Sequence, residues 1–442
     1  MAARFAWLLI SCLLLGGCVQ MEWRGGMIPH IGLKDTKPAP LQDDLQNNAA
    51  WRTGNFNWPQ FRGPERDGHA PNQGTKINWE NSPSLVWEDN CGAGHSSLTS
   101  AGSLLYTLEQ IEDEETLTAR LLENGKVAWQ YKEKTRWDDM MSGPGPRSTP
   151  TLHDDQLIVL FSNGTLVNLD PENGQKRWET VTLPENHHFP EWGISCSPLV
   201  WKDQIILSLG GDTGAAQAYD LKTGKLFWRG EPSERGTYLS PAILSLLGEE
   251  HLIVAVEGAI LGLDPQNGKT RWKHPWKIFL NNAQIAQPLP LSKDTFLLSA
   301  GYGKGAECLQ IRKDGNSYTL STHWKSKHLK TKFSNAILDE GSIYGYSENQ
   351  LVCLDTKTGD LNWRGKKYGY GRILLAGDKL VLLGNTGELA VVRATPGSFE
   401  EIYSGQLLSN ARCWNGPALV NGYLFARNGE QIACFDWAEV NF

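Results

Sequence analysis

Short apolar runs bounded by Asp, Asn and Gly recur along most of the chain. One set reads TPTLHDD, QLIVLFS and LVNLD, followed by the polar turn PENG and by QKRW ending at Trp178. Runs of this length between turn residues predict strands, and no steady 3.6-residue period supports long helices. The last part of the set repeats. LVNLDPENGQKRW, QAYDLKTGKLFW, LGLDPQNGKTRW and VCLDTKTGDLNW end at Trp178, Trp228, Trp272 and Trp363. In each copy Asp, Gly and Trp stand four residues apart: Asp170, Gly174 and Trp178; Asp220, Gly224 and Trp228; Asp264, Gly268 and Trp272; Asp355, Gly359 and Trp363. A strand ends at the Asp, whose carboxylate accepts backbone N–H bonds in the turn, and the Gly supplies a positive φ. The chain then reverses into a strand that carries the Trp. With two strands upstream, the unit is a four-stranded antiparallel meander.

Tryptophans 129, 178, 228 and 272 are spaced by 49, 50 and 44 residues, and Trp363 follows 91 later, which is two units. The missing copy is the degenerate stretch from Ala286 to Trp324, where only Gly315 and Trp324 remain. Another unit follows Trp363, with Tyr403 or a neighbour in place of the Trp. A last one, CWNGPALVNGYLFARNGEQIACFDW, stops after three strands. An unpaired final edge would invite aggregation, and SPSLVWED, with Trp87, can supply the fourth strand. The expected fold is all-β: an eight-bladed β-propeller of four-stranded antiparallel blades over 58–442, closed by an N-terminal strand in the last blade. Each Trp would bury on the order of 200 Å² between blades.

The rest of the sequence adds a cellular address. MAARFAWLLISCLLLGGC has one early positive charge at Arg4, an apolar run from Phe5 to Leu15 and small residues before Cys18. This predicts a secretory leader over 1–18, too short to span a bilayer comfortably. Residues 19–57 lack a period and read as a tether. The net charge of −7 across 442 residues, with no Lys/Arg run, argues against nucleic acid as a partner. Beyond Cys12 and Cys18, the cysteines at 91, 196, 308, 353, 413 and 434 form no CxxC motif. Disulfides among these six and buried free thiols both remain open.

DPENGQKRW, DLKTGKLFW, DPQNGKTRW and DTKTGDLNW resemble the pyrroloquinoline-quinone-like (PQQ-like) propeller repeat. WPQFRGPERDG, from Trp58 to Gly68, resembles the opening segment of its bacterial envelope branch, and GPGPRSTPT, WGISCSPLV and CWNGPALVNGYLFARNG extend the likeness over nearly all of 58–437. Leu15-Gly16-Gly17-Cys18 likewise resembles a bacterial lipobox, which implies cleavage before Cys18 and its acylation. Val19 lacks the Asp of an inner-membrane retention signal, so outer-membrane sorting is expected. The resemblance implies either a binding scaffold, as in the propeller lipoprotein of outer-membrane protein assembly, or a quinoprotein dehydrogenase.

Many blades open with a small or polar residue before Pro, as in Ser148-Thr149-Pro150 and Ser240-Pro241, and the first strand of a blade lines the central channel. The residues preceding these strands should converge at one mouth. The candidates there are His95, Arg147, Trp192, Gln287, Lys304, Asn335 and Arg412. The dehydrogenases of the family hold PQQ over a ring formed by two adjacent, disulfide-linked cysteines, with Ca²⁺ bound by Glu and Asn. This sequence has no adjacent cysteine pair and offers few carboxylates at the mouth. His187-His188 has no third metal ligand placed by spacing, and Gly301–Glu307 reads as a hairpin, not a phosphate loop. Arg62, Arg66 and Asp67 are expected to form ion pairs that pin the closing strand. The expected function is a non-catalytic, monomeric scaffold for envelope proteins, lipid-anchored through Cys18, without metal or cofactor. The alternative is a PQQ- and calcium-dependent enzyme, or a receptor for a sugar-like ligand.

Overall fold

Among the described residues, thirty-two short strands build eight separate four-stranded antiparallel sheets. The computed structural model describes residues 57–71, 74–184, 189–279 and 283–439. The leader with Cys18, nearly all of the tether and His187-His188 lie outside the described residues. Blade 1 comprises Thr99–Ala101, Leu104–Ile111, Glu114–Leu121 and Val127–Glu133, and its pattern repeats through blade 7, which ends at Glu401–Gln406. Blade 8 takes Ala418–Val420, Tyr423–Arg427 and Gln431–Asp436 from the end of the chain. Its fourth strand is Ser84–Asn90, paired antiparallel to Gln431–Asp436 with Trp87 opposite Cys434. The degenerate stretch forms a complete blade 5, whose last two strands, Gly305–Asp314 and Ser317–Ser326, make a long hairpin around Gly315.

Burial follows position in the blade. The third strand of blade 2, Thr165–Leu169, is buried throughout, whereas its fourth, Lys176–Val181, is mostly exposed. Inner strands are covered on both faces by neighbouring blades and so need continuous apolar sequence. The outermost strand lies on the rim and tolerates charge.

The repeated Asp and Gly form the predicted turn. Asp170 Oδ1 accepts the Glu172 N–H at 2.9 Å, and Gly174 has φ +72°. The Gly has a second duty, because a Cβ there would stand 2.5 Å from the ring of Trp129 in the preceding blade. Trp87 meets Gly125, Trp178 meets Gly224, Trp228 meets Gly268 and Trp324 meets Gly359 in the same way. Several of these indoles also donate to a carbonyl of the blade they lean on: Trp87 to Leu122 at 2.7 Å, Trp129 to Pro171 at 3.2 Å, Trp178 to Leu221 at 3.1 Å and Trp324 to Thr356 at 3.0 Å. Trp272 departs from the rule because blade 5 lacks the Asp-Gly turn. Its Nε1–H turns to His251 Nδ1 of its own blade at 3.2 Å, and nothing lies within 4 Å of a Cβ at Gly315.

The six described cysteines are free thiols, five of them buried, so the open question about disulfides resolves to packed thiols for these positions. Gly174→Ala and Gly315→Ala separate the two duties of the hairpin glycine. Both should lose roughly 1 kcal/mol for the left-handed backbone. Gly174→Ala should lose about 1–3 kcal/mol more through overpacking against Trp129. Urea unfolding of the two variants checks the difference; equal losses would refute it.

Candidate binding site at the channel mouth

In a four-stranded meander the loops entering the first strand and those joining the second to the third emerge at the same end. The Asp-Gly turns therefore lie on one face of the ring, and the inter-blade loops on the other. These loops surround a cavity of about 230 Å³. Its floor is the segment from Trp58 to Ala70, which crosses the inside of the ring. Trp58 exchanges backbone hydrogen bonds with Ser100 of blade 1, Pro59 accepts from Leu152 of blade 2, and Ala70 donates to Leu375 of blade 7. Phe61 from this segment faces the cavity.

Among the described residues Arg62 and Arg66 do not form the expected ion pairs. Arg62 donates to the carbonyls of Asp67 at 2.6 Å and Ala336 at 3.0 Å; Arg66 donates to Pro198 O at 3.0 Å and Gln60 Oε1 at 3.1 Å. The first strands leave inward carbonyls without a ladder partner, and a guanidinium carries five donors in a fork that can collect several. These arginines tie the blades to one another through the hub, not the closing strand to the ring. Burial lowers both to about 10, which still leaves them charged at neutral pH.

Three expected residues line the cavity: His95, Arg147 and Trp192. Arg147 is a clamp. It pairs with the Asp139 carboxylate and donates to Ser142 Oγ and Gly145 O, both at 2.6 Å. Asp139 in turn accepts the Ser142 N–H at 2.8 Å, so the loop between blades 1 and 2 is held by a closed network. The His95 ring nitrogen Nε2 lies 2.9 Å from Ser142 O, and because a carbonyl only accepts, Nε2 carries the proton. Burial, reinforced by Arg147, pushes its pKa down to about 3, so the ring is neutral. Trp192 stacks on Tyr238 with centroids 5.0 Å apart, and its Nε1–H has no acceptor among the described residues.

The other expected residues are placed differently. Arg412 stands at the rim, donating to Ser142 O and lying 4.8 Å from the Trp414 ring. Lys304 lies 4.1 Å over Trp276, outside the cavity lining, with its pKa lowered by burial. Gln287 and Asn335 sit deeper along the channel wall. They bond each other, Gln287 N–H to Asn335 Oδ1 at 2.7 Å, and Gln287 Oε1 lies 3.4 Å from Arg62 Nη1. Beyond the seven candidates, the lining includes Tyr238, Tyr302, Lys332, Phe333, Arg372 and Trp414. The Phe333 and Trp414 rings pack at a tilt with centroids 4.5 Å apart. All but Tyr302 lie shortly before, or at the start of, a first strand, the position that selects His95 and Arg147. Tyr302 comes from the turn between the second and third strands of blade 5.

Comparison with known proteins agrees with this architecture. The family described as outer membrane protein assembly factor BamB matches residues 72–191 and 191–365, more than half of the chain. The chain belongs to this PQQ-like β-propeller family. It is similar to BamB from Moraxella catarrhalis, with a TM-score of 0.59 at 13% identity over 80% of this chain and 100% of that one. It is also similar to a europium-containing methanol dehydrogenase, with a TM-score of 0.60 at 13% identity over 86% and 90% of the two chains. A third likeness is to a quinohemoprotein alcohol dehydrogenase of Pseudomonas putida HK5, with a TM-score of 0.62 at 12% identity over 88% and 81%. Identities this low carry the fold alone. An uncharacterized protein of Rickettsia prowazekii (strain Madrid E) is 23% identical over 171 residues, which are 36% of this chain and 39% of the relative.

The dehydrogenase neighbours raise the question of whether this PQQ-like propeller could hold a calcium-bound quinone. Its residues do not fit that group. Among the described residues no Asp or Glu lines the cavity, and no cluster of three His, Cys, Asp or Glu side chains is placed to hold a metal. The sequence has no adjacent cysteines for the disulfide ring.

The state of His95 gives a pH prediction. Its folded pKa lies below the ordinary value of 6.5, so its contribution to stability is fully present above about pH 6.5 and is lost as pH falls toward 3. His95→Gln keeps a donor for Ser142 O and removes the titration. Urea unfolding between pH 7.5 and 4.5 should show the wild type losing stability more steeply than this variant; parallel losses would refute the assignment.

Proposed function

We propose that this propeller is a non-catalytic scaffold of the bacterial cell envelope that binds protein partners in outer-membrane protein assembly. The observation that carries the reading is the match to the BamB family over most of the ring, joined to a mouth whose lining, among the described residues, holds no carboxylate and a histidine kept neutral by burial. Two exposed apolar side chains on the same loops support it: Met140 is 94% exposed and Phe279 is 97% exposed. Large apolar groups presented this openly at a loop face favour partner contact. The leader and Cys18 supply a lipid anchor, with outer-membrane sorting, and the ring acts as a monomer.

The test is genetic and biochemical. Removing the chain from its host should lower the level of outer-membrane β-barrel proteins, and the wild-type chain should restore it. The double variant Met140→Glu/Phe279→Glu should fold normally yet restore less than half. Unchanged barrel levels on removal would refute the assembly role. The alternative enzyme predicts dye-coupled oxidation of alcohols or sugars when PQQ and Ca²⁺ are added to purified protein; the scaffold predicts none.

A further inference from the structure

Cations at the mouth cavity outnumber anions in an unusual way. Arg372 stands at the start of blade 7 and faces the cavity. Its Nε–H donates to Trp414 O at 2.5 Å, and among the described residues no carboxylate lies within salt-bridge distance of it. Lys332, from the loop before blade 6, also lacks a carboxylate partner. Its ammonium is surrounded by rings instead, 4.6 Å from Tyr370, 4.7 Å from Tyr302 and 5.4 Å from Phe333. Arg147 already has its anion in Asp139. Two cations facing an acid-free cavity raise the potential there, even though the whole chain carries −7. A charge drawn partly out of water without a partner is a deficit that a bound anion can fill.

The same walls are aromatic. Trp192 and Tyr238 stack on the side of blades 3 and 4, and Phe333 and Trp414 pack against each other at a tilt on the loops leading into blades 6 and 8. Tyr238 precedes blade 4 and Trp414 precedes blade 8, so in a ring of eight they approach the axis from opposite sides. Trp192 is nine-tenths buried, and its Nε1–H is an unused donor at the cavity wall. The cavity is blind, because Phe61 closes its floor. Flat apolar walls, unused donors and two partnerless cations together define the complement of one chemical type.

We propose that the channel mouth binds an aryl carboxylate, its ring between the two aromatic pairs and its carboxylate on Arg372 and Lys332. Such a group can be a free small molecule or the terminal Phe, Tyr or Trp of a polypeptide. This inference stands apart from the role in assembly, which can fail without affecting it.

Calorimetric titration of the full chain with 3-phenylpropionate and with its neutral amide tests the charge requirement. The acid should bind at least tenfold more tightly than the amide, and more weakly as salt is raised. Lys332→Gln should weaken the acid at least fivefold and leave the amide unchanged. Lys332 has only ring contacts to lose, so this variant keeps the test open if Arg372→Gln fails to fold. Equal binding of acid and amide, no binding of either, or an unaffected Lys332→Gln would each overturn the proposal. A second arm uses a peptide ending in Phe and its C-terminal amide. Tight binding of the free-ended peptide alone identifies a chain end as the source; acceptance of 3-phenylpropionate but not the peptide identifies a small molecule.

Discussion

Five blades lean on their successors through one indole set against one glycine. No blade can bury both faces of its inner strands alone, so the unit of stability is the interface between blades, as in other repeat architectures. The Trp on the outer strand fills the space over the next hairpin, and only a residue without Cβ leaves room for it. The contact is directional, head to tail, and a directional contact must either close or propagate. Here it closes, because Trp87 of the N-terminal strand completes blade 8 and sets its ring against Gly125 of blade 1. Residues about 350 positions apart in sequence thus share a sheet.

Closing the ring creates a second problem at its axis. First strands pair on one side only, and their inward carbonyls face a narrow channel where a lost hydrogen bond is expensive. The segment from Trp58 to Ala70 answers with two arginines whose donors collect carbonyls from several blades at once. Carbonyl partners suffice where a carboxylate would have been the obvious choice, because the channel offers oxygen atoms in a ring and a planar fork reaches more than one. The same segment converts an open tunnel into a blind cup, and the cup gives the mouth its floor.

These two constraints explain what could be read in the sequence. The Asp-x-x-x-Gly-x-x-x-Trp spacing was legible because hairpin and interface demand it together, and ring closure was legible because a three-stranded remnant needs a partner. The blade 5 hairpin was harder to see for the same reason. Once Trp272 turned to His251, nothing required glycine at fixed spacing there. The mouth was legible only in part. The position before each first strand pointed to His95, Arg147 and Trp192, but it also pointed to Gln287 and Asn335, which the chain carries past the mouth into the wall. Local sequence shows which loop a residue occupies; the depth at which its side chain ends depends on how the hub segment packs beneath it. The arginine hub itself was misread because ion pairing is a pairwise idea, and these side chains answer to a ring of backbone carbonyls.

The charge of the mouth follows from the same geometry. His95 is the one histidine in the cavity lining among the described residues, and burial beside Arg147 keeps it neutral through the range in which histidine usually switches. Burial draws Arg372 down to about 10, not far enough to discharge it at neutral pH. Asp139 is held below the usual carboxylate range by hydrogen bonds from Ser142 and by Arg147, so the loop clamp stays intact through the same interval. The groups that could have made the site a pH sensor are thus each locked in one state by burial or by a partner. The positive character of the cup is therefore set by which loops the ring brings to its axis.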